Sequence, residues 1–241
     1  VEKEVIRNIT SKIKEPIYDV LNDVPDYAGA MGVEGWLADD KYVLIKGVYD
    51  IFKVDPTGVE APQNLTNGYG QKNKIEFSYV NFDREKRFIE PKETIILSAQ
   101  NKVNKYGGIF SKKMNVAGDP TLLRLTANSY AAPMKAKHAE KYLVQIADIS
   151  QSELYVSDDL KNVTKLTNVA DQQKDLVWPT AELVRWKMFD GKMSEGILYK
   201  PSNFDPNKQY PIIFYFYERN SDGLYSYKTP APSASIINIS Y

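Results

Sequence analysis

The sequence predicts a mainly β chain whose repeats have the rhythm of propeller blades, about three to four of them. Two observations carry this. Seventeen Tyr, nine Phe and three Trp sit among β-branched runs while long helical patterns are scarce, and such residues suit half-buried sheet faces. A strand–strand–turn–strand unit also recurs along the chain, and a fixed period is the mark of a repeat architecture.

The first unit covers residues 42–66. Tyr42-Val43-Leu44-Ile45 reads as a buried strand, Asp50-Ile51-Phe52-Lys53-Val54 as a second, and Gln63-Asn64-Leu65-Thr66 as a short third. Between them Asp55-Pro56-Thr57-Gly58 places Pro early and Gly late, as a tight turn requires. The second unit, residues 94–126, has Thr94-Ile95-Ile96-Leu97-Ser98, Gly108-Ile109-Phe110-Ser111 and Leu123-Arg124-Leu125-Thr126. The third, residues 142–167, has Tyr142-Leu143-Val144-Gln145-Ile146, Glu153-Leu154-Tyr155-Val156-Ser157 and Lys165-Leu166-Thr167. Each closes on Leu-Thr, and these marks fall 60 and 41 residues apart. The longer gap predicts an insertion around Ile75 to Pro91, and a poorer fourth unit is expected over Glu4 to Val20. A β-sandwich with similar hairpins is the alternative, since strand spacing alone does not separate the two folds.

Near residue 180 the character changes. Glu182 to Met188 alternates as a strand, Asp190-Gly191 is a hairpin turn, and Gly196-Ile197-Leu198-Tyr199-Lys200 is the returning strand. A loop dense in breakers, Pro201 to Lys208, leads to Tyr210-Pro211 and the run Ile212-Ile213-Phe214-Tyr215-Phe216-Tyr217. That run is apolar on both faces and is expected to be a strand buried inside a sheet.

Trp36-Leu37-Ala38-Asp39-Asp40-Lys41-Tyr42-Val43 resembles the motif that opens blades in prolyl oligopeptidases and TolB-like propellers. The succession Asp190-Gly191, Glu195 to Pro201, Phe204-Asp205-Pro206 and Tyr210-Pro211 resembles the crossing from propeller to catalytic domain in the prolyl oligopeptidase family, which includes the dipeptidyl peptidases. Together these segments span nearly the whole chain. The resemblance implies β-propeller blades over residues 1–180, and over 181–241 the first strands of an α/β-hydrolase domain, cut off before its nucleophile. It implies a parent serine peptidase acting on peptides, with this portion as gate and substrate-selecting wall. Export to the periplasm or the exterior is expected over the cytoplasm. The start Val1-Glu2-Lys3-Glu4 reads as cut from something longer. Unpaired strand edges in such a piece predict self-association as a homo-oligomer.

The chemistry of acyl transfer needs a nucleophile, a base and an oxyanion hole. No Gly-x-Ser-x-Gly elbow occurs, and the single histidine, His138, precedes the hydrolase-like segment, whereas in that fold the base follows the nucleophile. The chain alone is therefore expected to be inactive, with His138 a surface or structural residue. The resemblance gives Tyr217 one catalytic role, its hydroxyl helping to bind the oxyanion, a sound use of a phenol donor. Glu218-Arg219 follows it where many family members carry small residues. The alternative is a tyrosine that ends a core strand with its hydroxyl in water. No adjacent Glu-Glu pair of the kind that holds a substrate amino terminus occurs, so exo- and endopeptidase both stay open.

The 31 basic and 31 acidic residues balance, which gives no sign of a nucleic-acid partner. Absence of cysteine excludes disulfides, thiolate catalysis and Cys-based zinc sites. No apolar run approaches the ~18 residues of a membrane span. No cofactor or metal is expected: Asp39-Asp40 and Asp158-Asp159 lack calcium-loop spacing and read as turns. A peptide-binding propeller without catalysis is the alternative function.

Overall fold

The computed structural model describes residues 6–83, 85–216 and 219–231. The protein is mainly β with almost no helix, and it divides into two compact units: Val1–Asn101 with Gly108–Leu125, and Lys102–Gly107 with Thr126–Tyr241.

The first unit holds two sheets. One runs β1 (Val33–Leu37), β2 (Val43–Lys46), β3 (Ile51–Val54) and β4 (Gln63–Asn64), three successive antiparallel pairings in chain order. A short helix, α1 (Tyr69–Asn73), leads to the second sheet. That sheet begins with β5 (Ile75–Val80), leaves β6 (Phe88–Ile89) to the outer edge of the first sheet beside β1, and continues with β7 (Thr94–Asn101), β8 (Gly107–Lys113) and β9 (Thr121–Thr126). The stretch expected as an insertion, Ile75 to Pro91, is thus the opening strand of one sheet and an edge of the other. Ile75-Glu76-Phe77-Ser78-Tyr79-Val80 alternates, and β5 sends Ile75 and Phe77 into the core.

Between the two sheets lies the core. Leu37, Leu44, Ile51 and Leu65 come from the first sheet and its flank, and Ile75, Phe77, Ile95, Leu97 and Phe110 from the second. Phe77 and Phe110 meet edge-to-face at 5.1 Å, with Tyr69 against Phe110 at 5.8 Å. Fully burying such a side chain contributes roughly 1.5–3 kcal/mol. The first sheet is covered on its other face too, where Val43, Phe52 and Val54 receive Ile9 and Ile13. This explains why β2 and β3 read as continuous apolar runs rather than alternating ones. No strand forms in the described part of the expected fourth unit. Residues 6–20 make one isolated bridge, Tyr18 to Ala30, and otherwise lie as an arm.

The second unit contains a third sheet of the same plan. β10 (Ser129–Tyr130) and β11 (Met134–Lys135) both pair with β12 (Tyr142–Ala147), followed by β13 (Ser152–Ser157) and β14 (Thr164–Lys165). β10 and β11 are one edge strand interrupted at Pro133, which has no N–H for the ladder. β15 (Thr180–Lys187) and β16 (Met193–Lys200) make a separate hairpin with eight paired positions, from Thr180–Lys200 to Lys187–Met193. Gly191 takes a φ of 86° in its turn, the conformation that the Asp-Gly motif supplies.

One expected strand does not form among the described residues. Ile212 to Phe216 pair with no strand among the described residues, and Ile213, Phe214 and Phe216 are 79%, 78% and 90% exposed. Their apolar character suits a sheet interior, yet among the described residues no strand edge pairs with their backbone. The described residues contain no α/β layer.

Candidate functional site

Tyr217, the residue expected to serve the oxyanion, lies outside the described residues together with Glu218. His138 is exposed in the loop between β11 and β12. The acidic pairs do turn work. Asp39 and Asp40 hold φ values of 61° and 52° between β1 and β2, a conformation that short polar side chains tolerate. Asp159 accepts the N–H groups of Lys161 and Asn162 at 2.9 and 2.8 Å, and these bonds hold its carboxyl at about 2. Asp55 organises its predicted turn likewise. The Glu60 N–H and the Thr57 hydroxyl, with the N–H groups of Thr57 and Val59, outweigh the opposing effect of burial and keep it at about 2. Among the described residues no group of three or more His, Asp or Glu could hold a metal ion.

Two buried carboxylates stand at equivalent positions of the repeat. Asp50 precedes β3, is fully buried, and accepts the Thr66 hydroxyl at 2.6 Å and the N–H groups of Gly70 and Gln71 at 2.9 and 3.2 Å. Glu153, in β13, accepts the Thr167 hydroxyl at 2.5 Å and the N–H groups of Val169 and Ala170, each at 3.0 Å, with Lys165 Nζ at 3.1 Å. Burial by itself would raise the Glu153 pKa, but the Ala170, Thr167, Val169 and Lys165 donors outweigh it and hold the group at about 2. Each of these carboxylates gathers several donors, and they fix chain direction after the Leu-Thr strand.

A second charged constellation lies within the second unit. Lys105, its side chain only 3% exposed, bonds Glu195 from β16, and Asp222 at 2.9 Å from the turn Asn220–Gly223. Lys102 reaches Asp222 at 2.6 Å, Arg185 reaches Glu195 at 3.1 Å, and Ser221 donates to Glu195 at 3.0 Å. Burial alone would raise both carboxyls, yet the lysines hold Glu195 and Asp222 below their ordinary values. Three cations facing two anions form a clamp that fastens the 220–223 turn to the hairpin. Sequence reasoning missed it, since Lys105 and Asp222 are 117 residues apart.

The second unit also carries a cavity of about 250 Å³, lined by Ser129, Tyr130, Gln145, Ser152, Ser226 and Tyr227 among others. Ser129 pairs with Ala147, and Ala147 with Ser152, so one register level of the sheet supplies small side chains and leaves room above it. Gln145 donates to Ser152 at 2.8 Å. Its lining carries hydroxyls, an amide and phenols but neither an imidazole nor a carboxylate. Such a cavity can hold a polar ligand by hydrogen bonds but has no base to activate a serine.

No family model matches the chain, and no curated protein matches it. Among solved structures, a serine-to-alanine variant of AtxE2 isopeptidase with Astexin3-dC4 bound is similar at a TM-score of 0.39 and 11% identity, over 76% of this chain. The present chain spans 41% of that chain's length. A likeness of this degree establishes neither a shared fold nor a shared chemistry.

Proposed function

We propose that the chain is part of a serine peptidase of the prolyl oligopeptidase type. Residues 1–180 are its propeller blades and residues 181–241 the beginning of its α/β-hydrolase domain. The blades gate the active site and select peptide substrates. Tyr217 contributes an oxyanion donor, and the Ser, Asp and His of the triad lie elsewhere in the parent. The observation that carries the reading is the succession of three meandering sheets, β1 to β4, β5 with β7 to β9, and β10 to β14, ahead of the β15–β16 hairpin. Propeller blades are four-stranded meanders of this kind. The hairpin holds the Asp190-Gly191 and Glu195 to Pro201 segments that resemble the family's crossing into its catalytic domain.

The test is fluorophosphonate labelling of the product of the whole reading frame. A label on one serine outside residues 1–241, slowed but not moved by Tyr217→Phe, supports the proposal. A label on a serine within residues 1–241, or none at all, overturns it. The second reading, a propeller that binds peptides without cleaving them, is favoured by the uncharged cavity on β10, β12 and β13. It predicts saturable peptide binding with no label.

A further inference from the structure

The arm before β1 is attached to the first sheet by a short series of contacts. Arg7 donates to the Thr57 carbonyl at 2.7 Å, Ile9 and Ile13 pack on Val43, Phe52 and Val54, and the Pro16 carbonyl accepts the Val48 N–H at 3.1 Å. At its centre is Glu15, 93% buried, whose Oε1 accepts the N–H groups of Tyr49 and Asp50 at 2.5 and 3.0 Å. Gly47 gives way to it, since a Cβ there would lie 2.6 Å from Oε1.

The other oxygen is the anomaly. Glu15 Oε2 is buried and receives no hydrogen bond, a costly state for a carboxylate, which can only accept. Its neighbour is the Asp50 carboxyl, and Asp50 already accepts the Thr66 hydroxyl and the Gly70 and Gln71 N–H groups. Three donors converge on Asp50 and none on Glu15 Oε2, so the proton between the two carboxyls is placed on Glu15. Protonated, Glu15 becomes a donor beside a carboxylate acceptor, and the anomaly disappears.

We propose that Glu15 is a proton-dependent latch: as a neutral acid it bonds Asp50 and holds the 7–16 arm on the first sheet, and loss of its proton to water frees the arm. The neighbouring groups set the direction. Lys12 and Lys14 of the arm are exposed, and Lys74 sits over the Tyr49 ring at 5.1 Å rather than on either carboxyl. Burial raises the Glu15 pKa above its ordinary 4.5, the Tyr49 and Asp50 N–H groups lower it, and the Asp50 carboxyl raises it further. A raised acid contributes stability that is present below the unfolded-state pKa and is lost as pH rises through the folded one. The arm therefore loosens toward alkaline pH.

The chain has no cysteine, so Lys12→Cys accepts a single pH-insensitive fluorophore at an exposed position of the arm. Its anisotropy is followed from about pH 5 to about pH 9, on the alkaline side of the ordinary glutamate value of 4.5. The expected result is a loss of anisotropy with rising pH. In Glu15→Gln, whose amide gives Asp50 a permanent N–H, the anisotropy stays high throughout. An identical fall in both proteins, or no fall in either, overturns the proposal. Carboxyl-carbon NMR of the otherwise unaltered protein decides independently of how Glu15→Gln folds. A Glu15 resonance that titrates at or below the ordinary glutamate value sinks the latch, and one that titrates above it supports the latch.

Discussion

Thr66 Oγ1 donates to Asp50 Oδ1 at 2.6 Å and receives the Ile51 N–H at 3.1 Å. Thr167 repeats the arrangement a unit later, donating to Glu153 and receiving the Leu154 N–H at 2.9 Å. One hydroxyl thus joins the end of the last strand to the start of the second, while the acid turns to hold the N–H groups of the segment that follows. This is the physical content of the recurring Leu-Thr. The middle unit departs from it. Gly108 occupies the acid's position there, and a Cβ would lie 2.3 Å from the Arg124 carbonyl, so close backbone approach replaces the side-chain clamp.

Replacing either threonine by valine keeps the shape and deletes the hydroxyl. Each substitution leaves an N–H and a carboxyl oxygen short of a partner, at a cost of about 1–3 kcal/mol. Thr66→Val is expected at the upper end, since Thr66 is fully buried and Thr167 is not. Urea midpoints measure this, and equal midpoints for Thr66→Val and the unaltered protein would refute the clamp.

Glu153 makes the same clamp pH-dependent on the acid side. Its folded-state pKa is about 2 against an ordinary 4.5, so its contribution is complete above the higher value and disappears as pH falls toward the lower. Glu153→Gln is expected to be less stable at neutral pH and to lose part of the slope of stability against pH below about 4.5. Parallel slopes for the two proteins in that window would show that Glu153 is not held in the charged form.

Lys105→Met removes the centre of the clamp in the second unit. Glu195 and Asp222 then lose their shared counter-ion but keep Arg185 and Lys102, so the cost is that of lost charged hydrogen bonds, about 1.5–3 kcal/mol. Hydrogen exchange is expected to quicken at Ser221 to Leu224 before it quickens in β12 and β13. Unchanged exchange in that turn would mean that Lys102 and Arg185 suffice.

How far these features can be read from sequence depends on their range. β2, β3, β12 and β13 are legible because apolar runs meet turn residues with definite conformational needs, and the Asp55 and Asp190-Gly191 turns form as their chemistry dictates. β5 is hidden because repeat spacing makes residues 75–91 look surplus, although Ile75 to Val80 alternate as a strand does. The Leu-Thr marks were visible, but their partners Asp50 and Glu153 were not, since a hydroxyl's acceptor depends on where the strands pair. The Lys105 clamp and the Glu15–Asp50 pair are invisible for the same reason: each joins groups that only the folded chain brings together. Ile212 to Phe216 failed in the opposite sense, because apolar character states a need for burial and not what supplies it.

That unmet need leads to the last prediction. Ile212, Ile213, Phe214 and Phe216 are all more than half exposed, in a segment that pairs with no strand among the described residues. Contiguous apolar side chains with free backbone groups favour edge-to-edge pairing between molecules. The protein is therefore expected to self-associate with rising concentration in sedimentation velocity runs. Ile213→Lys and Phe214→Lys place charge where pairing would bury it, the device by which natural edges avoid aggregation. Both variants should shift the distribution toward monomer while leaving the melting temperature of the monomer unchanged, because neither side chain packs on the described core. A variant that still associates like its parent would place the contact elsewhere. An unaltered protein that stays monomeric and melts at one temperature at every concentration would show that this segment is covered within its own chain.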